Sequence, residues 1–109
     1  MSEPTRAEVD QMRGAVVLEF GAVWCPHCQR VRSTMATLLR TYPEVRHIQI
    51  EDGPGLPLGR SFRVKLWPNF VFMRDGRMLR QLARPSRQEL QDAMHEVAAD
   101  GAPAGDHGV

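Results

Sequence analysis

An apolar run that ends five residues before the chain's only two cysteines constrains the fold more than any other feature of the sequence. The run, Ala15–Phe20, is rich in β-branched residues and suits a strand that is buried on both faces of a sheet. The cysteines follow as Cys25 and Cys28, at the start of a stretch with helical spacing. Because open α/β sheets place their active sites at the carboxyl ends of strands, the sequence predicts an α/β fold with both thiols in such a site.

The spacing of the two cysteines predicts redox chemistry. Thiols three positions apart on a first helical turn can close a disulfide without movement of the backbone, so the pair can cycle between dithiol and disulfide. Unsatisfied backbone N–H groups at a helix start favour negative charge and should stabilise a thiolate at the first cysteine. We therefore expect Cys25 to be the nucleophile.

The composition fits one small domain and argues against two classes of partner. With 109 residues and 42% hydrophobic content, the chain can bury a modest core, which we expect over residues 1–99. Residues 100–109 are rich in Gly, Ala and Pro and are expected to be disordered. A formal net charge of +1 gives no support to binding of nucleic acid or of a membrane surface.

The sequence also carries expectations about its compartment. No stretch reaches the ~18 consecutive apolar residues of a membrane span, and the first residues lack the apolar core of a signal peptide. Two neighbouring cysteines do not form the disulfide framework that is typical of small secreted domains. We expect a cytoplasmic protein, or a periplasmic one if an export signal has been removed.

Hydrophobic periodicity predicts the order helix, strand, helix, strand, helix, hairpin and helix. The expected helices span residues 4–13, 26–41 and 58–64, and a last helix follows a Ser86-x-x-Glu89 capping pattern. The expected strands span residues 15–20, 45–51, 69–73 and 78–82. The pair Asp75-Gly76 between the last two strands is typical of a two-residue hairpin turn.

With the cysteine motif in this position and Trp67-Pro68 just before the hairpin, residues 4–99 resemble the thioredoxin fold. Trp24-Cys25-x-x-Cys28 matches the family's active-site motif, and Pro68 matches the cis-proline that faces the disulfide in that family. The resemblance implies a mixed sheet of about four strands flanked by helices, since the segment before Ala15 is too short for the family's extra N-terminal strand. It also implies a redox-active disulfide that needs no cofactor and no metal.

The resemblance further implies roles for the residues around the thiols. Cys25 would attack a substrate disulfide, and Cys28 would then displace the substrate from the mixed disulfide. Glu19 lies six residues before Cys25, where thioredoxins carry a buried acid, and would exchange a proton with Cys28. Pro68 would leave a backbone edge at Trp67 that pairs with an extended substrate chain.

The residues between the cysteines, Pro26 and His27, are expected to tune the reduction potential. The motif Cys-Pro-His-Cys resembles that of the periplasmic oxidase family DsbA, whereas thioredoxins carry Gly-Pro between their cysteines. A donor or cation at His27 near the thiolate would stabilise the dithiol form. We therefore expect a potential that is intermediate or oxidising relative to thioredoxins.

Several residues depart from the family pattern around the predicted substrate groove. Trp67 replaces a smaller aliphatic residue beside Cys25, Gly21 stands where a large aromatic is common, and Arg84 stands where a glycine is usual. We assign Trp24, Trp67, Pro68 and Arg84 to substrate binding, in a groove that is more basic than the family's. The helix over residues 26–41 lacks the family's proline and is expected to be straighter.

The expected partners are protein thiols and disulfides, with a thioredoxin reductase or glutathione as the electron source and a monomeric state for the chain. Two other classes of function remain open. A metal-binding module would use Cys25, Cys28, His27 and His47, although zinc sites usually need a second cysteine pair. An interaction protein that keeps the fold without catalysis would explain the unusual Trp67 and Gly21.

Overall fold

The computed structural model describes residues 3–99, which form a four-stranded mixed sheet with helices on both faces. The helices are α1 (Arg6–Asp10), α2 (Pro26–Arg30), α3 (Arg32–Thr41), α4 (Pro57–Ser61) and α5 (Arg87–Ala99). The strands are β1 (Ala15–Gly21), β2 (Arg46–Glu51), β3 (Asn69–Arg74) and β4 (Arg77–Ala83). The predicted α/β fold is confirmed, while the predicted disordered tail at 100–109 lies outside the described residues.

Strand β1 lies inside the sheet and brings the cysteines to its carboxyl edge. The sheet order is β2-β1-β3-β4, with β1 parallel to β2 and antiparallel to β3. Six of its seven residues are buried, as the apolar run predicts. The parallel crossover from β1 to β2 is made by α2 and α3, so the cysteines lie where β1 passes into α2.

Side chains alternate between the two faces of β1 and supply two apolar clusters. Val16, Leu18 and Phe20 face α1 and α4, which contribute Val9 and Leu58. The opposite face is covered by α3 and α5, which contribute Met35, Leu38, Leu90, Ala93, Met94 and Val97. By the same alternation Glu19 lies on the α3 side of the sheet, which is also the side of Val17.

The prediction of one straight helix over residues 26–41 is wrong. Val31 separates α2 from α3, with φ −91° and ψ −3°, and its amide donates to the carbonyl of Cys28 at 3.3 Å. A bond over three residues is tighter than the α-helical pattern, so the helical register is interrupted at this point. The first helix and α4 are also shorter than predicted, although the Thr5 capping box is present.

The hairpin turn forms as the sequence predicts. Asp75 and Gly76 both have positive φ, 51° and 80°, as a two-residue turn of this kind requires. The turn also packs onto the loop before β1, since the Gly14 amide donates to Asp75 Oδ1 at 2.8 Å. Within residues 3–99, no helix is long and apolar enough to cross a membrane.

Candidate active site

The two cysteines occupy the first turn of α2, directly after the end of β1. Cys25 caps the helix in an extended conformation, and its Sγ accepts a hydrogen bond from the Cys28 amide at 3.3 Å. Pro26 follows at the first helical position, where a residue without an N–H costs nothing. Both cysteines are free thiols, 3% and 6% exposed.

The two thiols are not equivalent. Burial, a hydrogen bond with the Cys25 sulfur and the charges of Cys25 and Glu19 raise the pKa of Cys28 from 9.0 to about 11, although a backbone bond from Ala22 partly opposes this. Cys28 therefore keeps its proton at neutral pH. Its S–H is held beside the Cys25 sulfur, where it can donate to a thiolate.

Glu19 is buried on β1 and is held by a histidine from the neighbouring strand. Its Oε1 lies 2.7 Å from His47 Nε2, and the Glu19 residue is only 7% exposed. In the parallel register Glu19 pairs with Gln49 and Val17 pairs with His47, so the two side chains share one face of the sheet. Sequence reasoning considered His47 only as a metal ligand and missed this contact.

Gly21 lets the second thiol approach the end of β1 closely. A Cβ built on this residue would lie 2.6 Å from Cys28 Sγ, closer than side chains tolerate. A cavity of about 530 Å³ adjoins this contact, with Glu19, Cys28, Arg32 and Gln49 in its wall. Cys28 therefore borders a polar cavity.

Trp67 covers the cysteine pair from the opposite side. Its side chain packs against the cluster of Ala22, Cys25 and Cys28. Its ring meets that of Trp24 edge to face, with centroids 5.5 Å apart, and Trp24 itself is 67% exposed. The structure therefore brings both predicted tryptophans to the thiols.

A buried aspartate directly after β2 anchors Trp67. Asp52 Oδ2 accepts from Trp67 Nε1 at 3.0 Å and from Arg60 Nη2 at 2.9 Å. The absence of a side chain at Gly59 makes room for this carboxylate, because a Cβ there would overlap it. The position of Asp52 directly after β2, at the sheet edge that carries the thiols, is the signal that could have found it.

Pro68 and Arg84 meet beside the same face. The Trp67–Pro68 peptide bond is cis. The Arg84 amide donates to the Pro68 carbonyl at 2.8 Å, and its Nε donates to the Trp67 carbonyl at 2.8 Å. Arg84 has a φ of 48°, which is the conformation that a glycine at this position would adopt without strain.

The side chain of His27, in contrast, makes no hydrogen bond with any residue in 3–99 and is partly buried on the first turn of α2. Nor do the described residues contain a group of three or more His, Cys, Asp or Glu side chains that could hold a metal ion.

Comparison with known proteins gives a consistent result. A family model described as Thioredoxin matches residues 3–96. The chain is 26% identical over 93 residues to thioredoxin H5 of Oryza sativa subsp. japonica, covering 85% of this chain and 69% of that protein. It is 28% identical over 87 residues to thioredoxin Asp f 28 of Aspergillus fumigatus, covering 79% and 81%. The solved structure of thioredoxin 2 from Pseudomonas aeruginosa PAO1 in its reduced form superposes with a TM-score of 0.79 at 47% identity, over 91% of this chain and 93% of that one.

Proposed function

Because this chain belongs to the thioredoxin family, we propose that Cys25 and Cys28 are the redox pair of a thiol-disulfide oxidoreductase that acts on proteins. The observation that carries the proposal is the asymmetry of the two thiols. Cys25 caps a helix start and accepts the Cys28 amide, while burial keeps the proton on Cys28. The Cys25 sulfur is placed to attack first, and the Cys28 thiol stays protonated until the second displacement.

The reaction proceeds by two displacements. The Cys25 thiolate attacks one sulfur of a substrate disulfide, a new S–S bond forms, and the other substrate sulfur leaves as a thiolate that takes up a proton. Cys28 then loses its proton and attacks the Cys25 sulfur, which releases the second substrate thiolate. The substrate gains two electrons and two protons, and the enzyme keeps the Cys25–Cys28 disulfide.

Glu19 receives the proton that Cys28 must lose in the second displacement. Burial is the largest cause of the raised pKa of Cys28 and persists in the mixed disulfide, so at pH 7 this thiol stays mostly protonated unless a base takes its proton. Glu19 and Cys28 both line the cavity beside Gly21, so water there can carry the proton between them. His47 orients the carboxyl through the 2.7 Å contact.

Substrates bind at the face formed by Trp24, Trp67 and Pro68. The backbone at Trp67 pairs with an extended segment around the substrate cysteine, and the two rings cover the apolar part of that segment. A thioredoxin reductase or glutathione supplies electrons, and the chain works as a monomer. A single close cysteine pair suits a reducing compartment such as the cytoplasm.

Pro26 and His27 set the direction of net transfer. A positive charge on His27, at the first turn of α2, favours the thiolate and makes the disulfide more oxidising. A shift of about 30 mV corresponds to about 1.4 kcal/mol for a two-electron couple, so a charge interaction of this size is enough to change the direction of transfer. Equilibration of the protein with glutathione measures the potential directly.

The cysteine assignments are tested with Cys25→Ser and Cys28→Ser in an insulin-reduction assay with dithiothreitol. We expect wild-type turnover and none for Cys25→Ser. Incubated with insulin without dithiothreitol, Cys28→Ser should accumulate a mixed disulfide, because its Cys25 attacks and no second thiol releases the substrate. Mass spectrometry of the trapped Cys28→Ser species identifies the linked sulfur. Absence of turnover in the wild-type protein would contradict the proposed activity. Equal turnover in both variants would contradict the separate roles of Cys25 and Cys28.

A further inference from the structure

Arg84 adopts a backbone conformation that an arginine rarely adopts. Its φ of 48° lies in the left-handed region, where a Cβ is crowded and where glycine is the favoured residue. The position directly follows β4, and the Arg84 amide bonds to the Pro68 carbonyl through the backbone alone. A glycine would keep that bond without strain, so what an arginine adds at this position is its side chain.

The guanidinium is fixed beside the predicted substrate face. Its Nε donates to the Trp67 carbonyl at 2.8 Å, and the Trp67 side chain lies against the cysteine cluster. No residue within 3–99 accepts a hydrogen bond from either Nη group of Arg84, whose side chain is exposed. An anchored Nε therefore leaves the two amino groups oriented with their donors available.

No negative side chain neutralises this arginine within the described part of the chain. Asp52, the acid nearest to Trp67 in the hydrogen-bond network, is buried and already bound to Arg60 and the Trp67 indole. The segment that leads to Trp67 adds Arg63 and Lys65 and no acid. Arg84 thus presents a positive charge at the backbone of Trp67 with no counterion among the described residues.

We propose that Arg84 is a carboxylate-binding residue that selects disulfide substrates with Asp or Glu beside the reacting cysteine; this rests on the proposed function. The fork of Nη donors suits a carboxylate, and the anchored Nε removes much of the entropy cost of holding the side chain in place. The Trp67 carbonyl has two lone pairs, so it can accept Arg84 Nε and a substrate amide together. The substrate backbone then pairs with Trp67, and the substrate carboxylate binds the Arg84 side chain that is hydrogen-bonded to Trp67.

The test uses three disulfide-linked reporter peptides that differ only in the two residues flanking the cysteine, which are Glu, Gln or Lys. We expect the wild-type kcat/KM for the Glu peptide to exceed that for the Gln peptide about 5- to 10-fold, with the Lys peptide slowest. Arg84→Gly relaxes the backbone and keeps the hydrogen bond from the amide of residue 84 to the Pro68 carbonyl. In this variant the ratio should fall to about one. Arg84→Lys should keep a ratio of only about 2, because a point charge replaces the fork.

Arg40→Gln is the matched control, since it removes one positive charge from an exposed position on α3 and should leave the ratio unchanged. The wild-type ratio should also decrease as salt rises from about 0.05 to 0.5 M, because exposed charges are screened. Turnover of all three peptides at equal rates, or an undiminished ratio in Arg84→Gly, would overturn the selectivity while leaving the exchange activity intact. A wild-type protein that reduces none of the peptides would instead contradict the proposed function itself.

Discussion

Glu19 has two separable effects on Cys28, and they predict opposite results when the charge is removed. As a nearby negative charge, Glu19 helps to raise the pKa of Cys28, although burial is the larger cause. As a proton acceptor, it would remove the thiol proton in the second displacement. Glu19→Gln keeps the side-chain size, so its effect reports which role dominates.

We expect Glu19→Gln to slow release of the mixed disulfide at pH 7 about 100-fold, at the lower end of the range for loss of a general base. Without the acceptor, the rate should follow the ionised fraction of Cys28 and rise about tenfold per pH unit above neutral pH, because burial still raises the pKa of this thiol. Rapid-mixing kinetics of a preformed mixed disulfide measure this step. A faster release in Glu19→Gln at pH 7 would show that the carboxylate acts only through its charge.

The sequence predicted those site residues whose positions depend only on their spacing along the chain. The positions of Cys25, Cys28 and Glu19 follow from one strand and one helix start, which local patterns indicate well. The His47 contact depends on the register between two strands that are not adjacent in sequence. Nothing in either strand's own pattern fixes that register, so only the fold could reveal it.

At the scale of elements, the end of β1 fixes the space behind the second thiol. Gly21 is the last residue of that strand, and its missing side chain makes room for the Cys28 sulfur. A methyl group at this position would meet a sulfur that α2 holds on the other side. The residue at the end of β1 therefore has to be small enough to leave room for the Cys28 sulfur at the start of α2.

We predict that Gly21→Ala destabilises the reduced protein by about 1–3 kcal/mol, because its Cβ would lie 2.6 Å from Cys28 Sγ and force the helix start to shift. Denaturant unfolding measures this cost. Gly53→Ala is a suitable control, since a Cβ there meets only Leu56 Cδ1 at 3.6 Å, an ordinary contact. Equal stability of the two variants would mean that α2 is free to move away from β1.

The break at Val31 shows where element prediction from sequence stops. Apolar residues continue at helical spacing through residues 26–41, and neither Gly nor Pro interrupts the stretch after Pro26. The backbone turns because α2 must present two thiols at the end of β1, while Met35 and Leu38 of α3 must pack on the sheet face. Such competing tertiary demands leave no mark in a periodic pattern.

Over the whole molecule, element order constrained topology more than any single motif. A strand, a helical crossover and a second strand give a parallel pair, and a tight hairpin gives an antiparallel one. Both pairs occur, and β1 joins them by pairing with β3. The network of Asp52, Trp67 and Arg84 joins three loops that are far apart in sequence, so it became visible only in the assembled fold.

The raised pKa of Cys28 also links the stability of the whole reduced protein to pH. An unperturbed cysteine thiol has a pKa of 9.0 and the folded protein raises that of Cys28 to about 11, so the folded state holds this proton more tightly than the unfolded state does. Where the native state binds more protons, the free energy of unfolding falls as pH rises. The stabilisation from this thiol is therefore fully present below pH 9.0 and is lost as pH rises toward about 11.

We expect reduced wild-type protein to lose stability across this pH window more steeply than reduced Cys28→Ser, which shares every other titrating side chain. The serine hydroxyl does not ionise in this range, so the variant lacks only the proton that the buried thiol releases on unfolding. Denaturant unfolding at several pH values under reducing conditions measures both slopes. Parallel slopes would place the Cys28 thiol in contact with solvent rather than in the buried site described above.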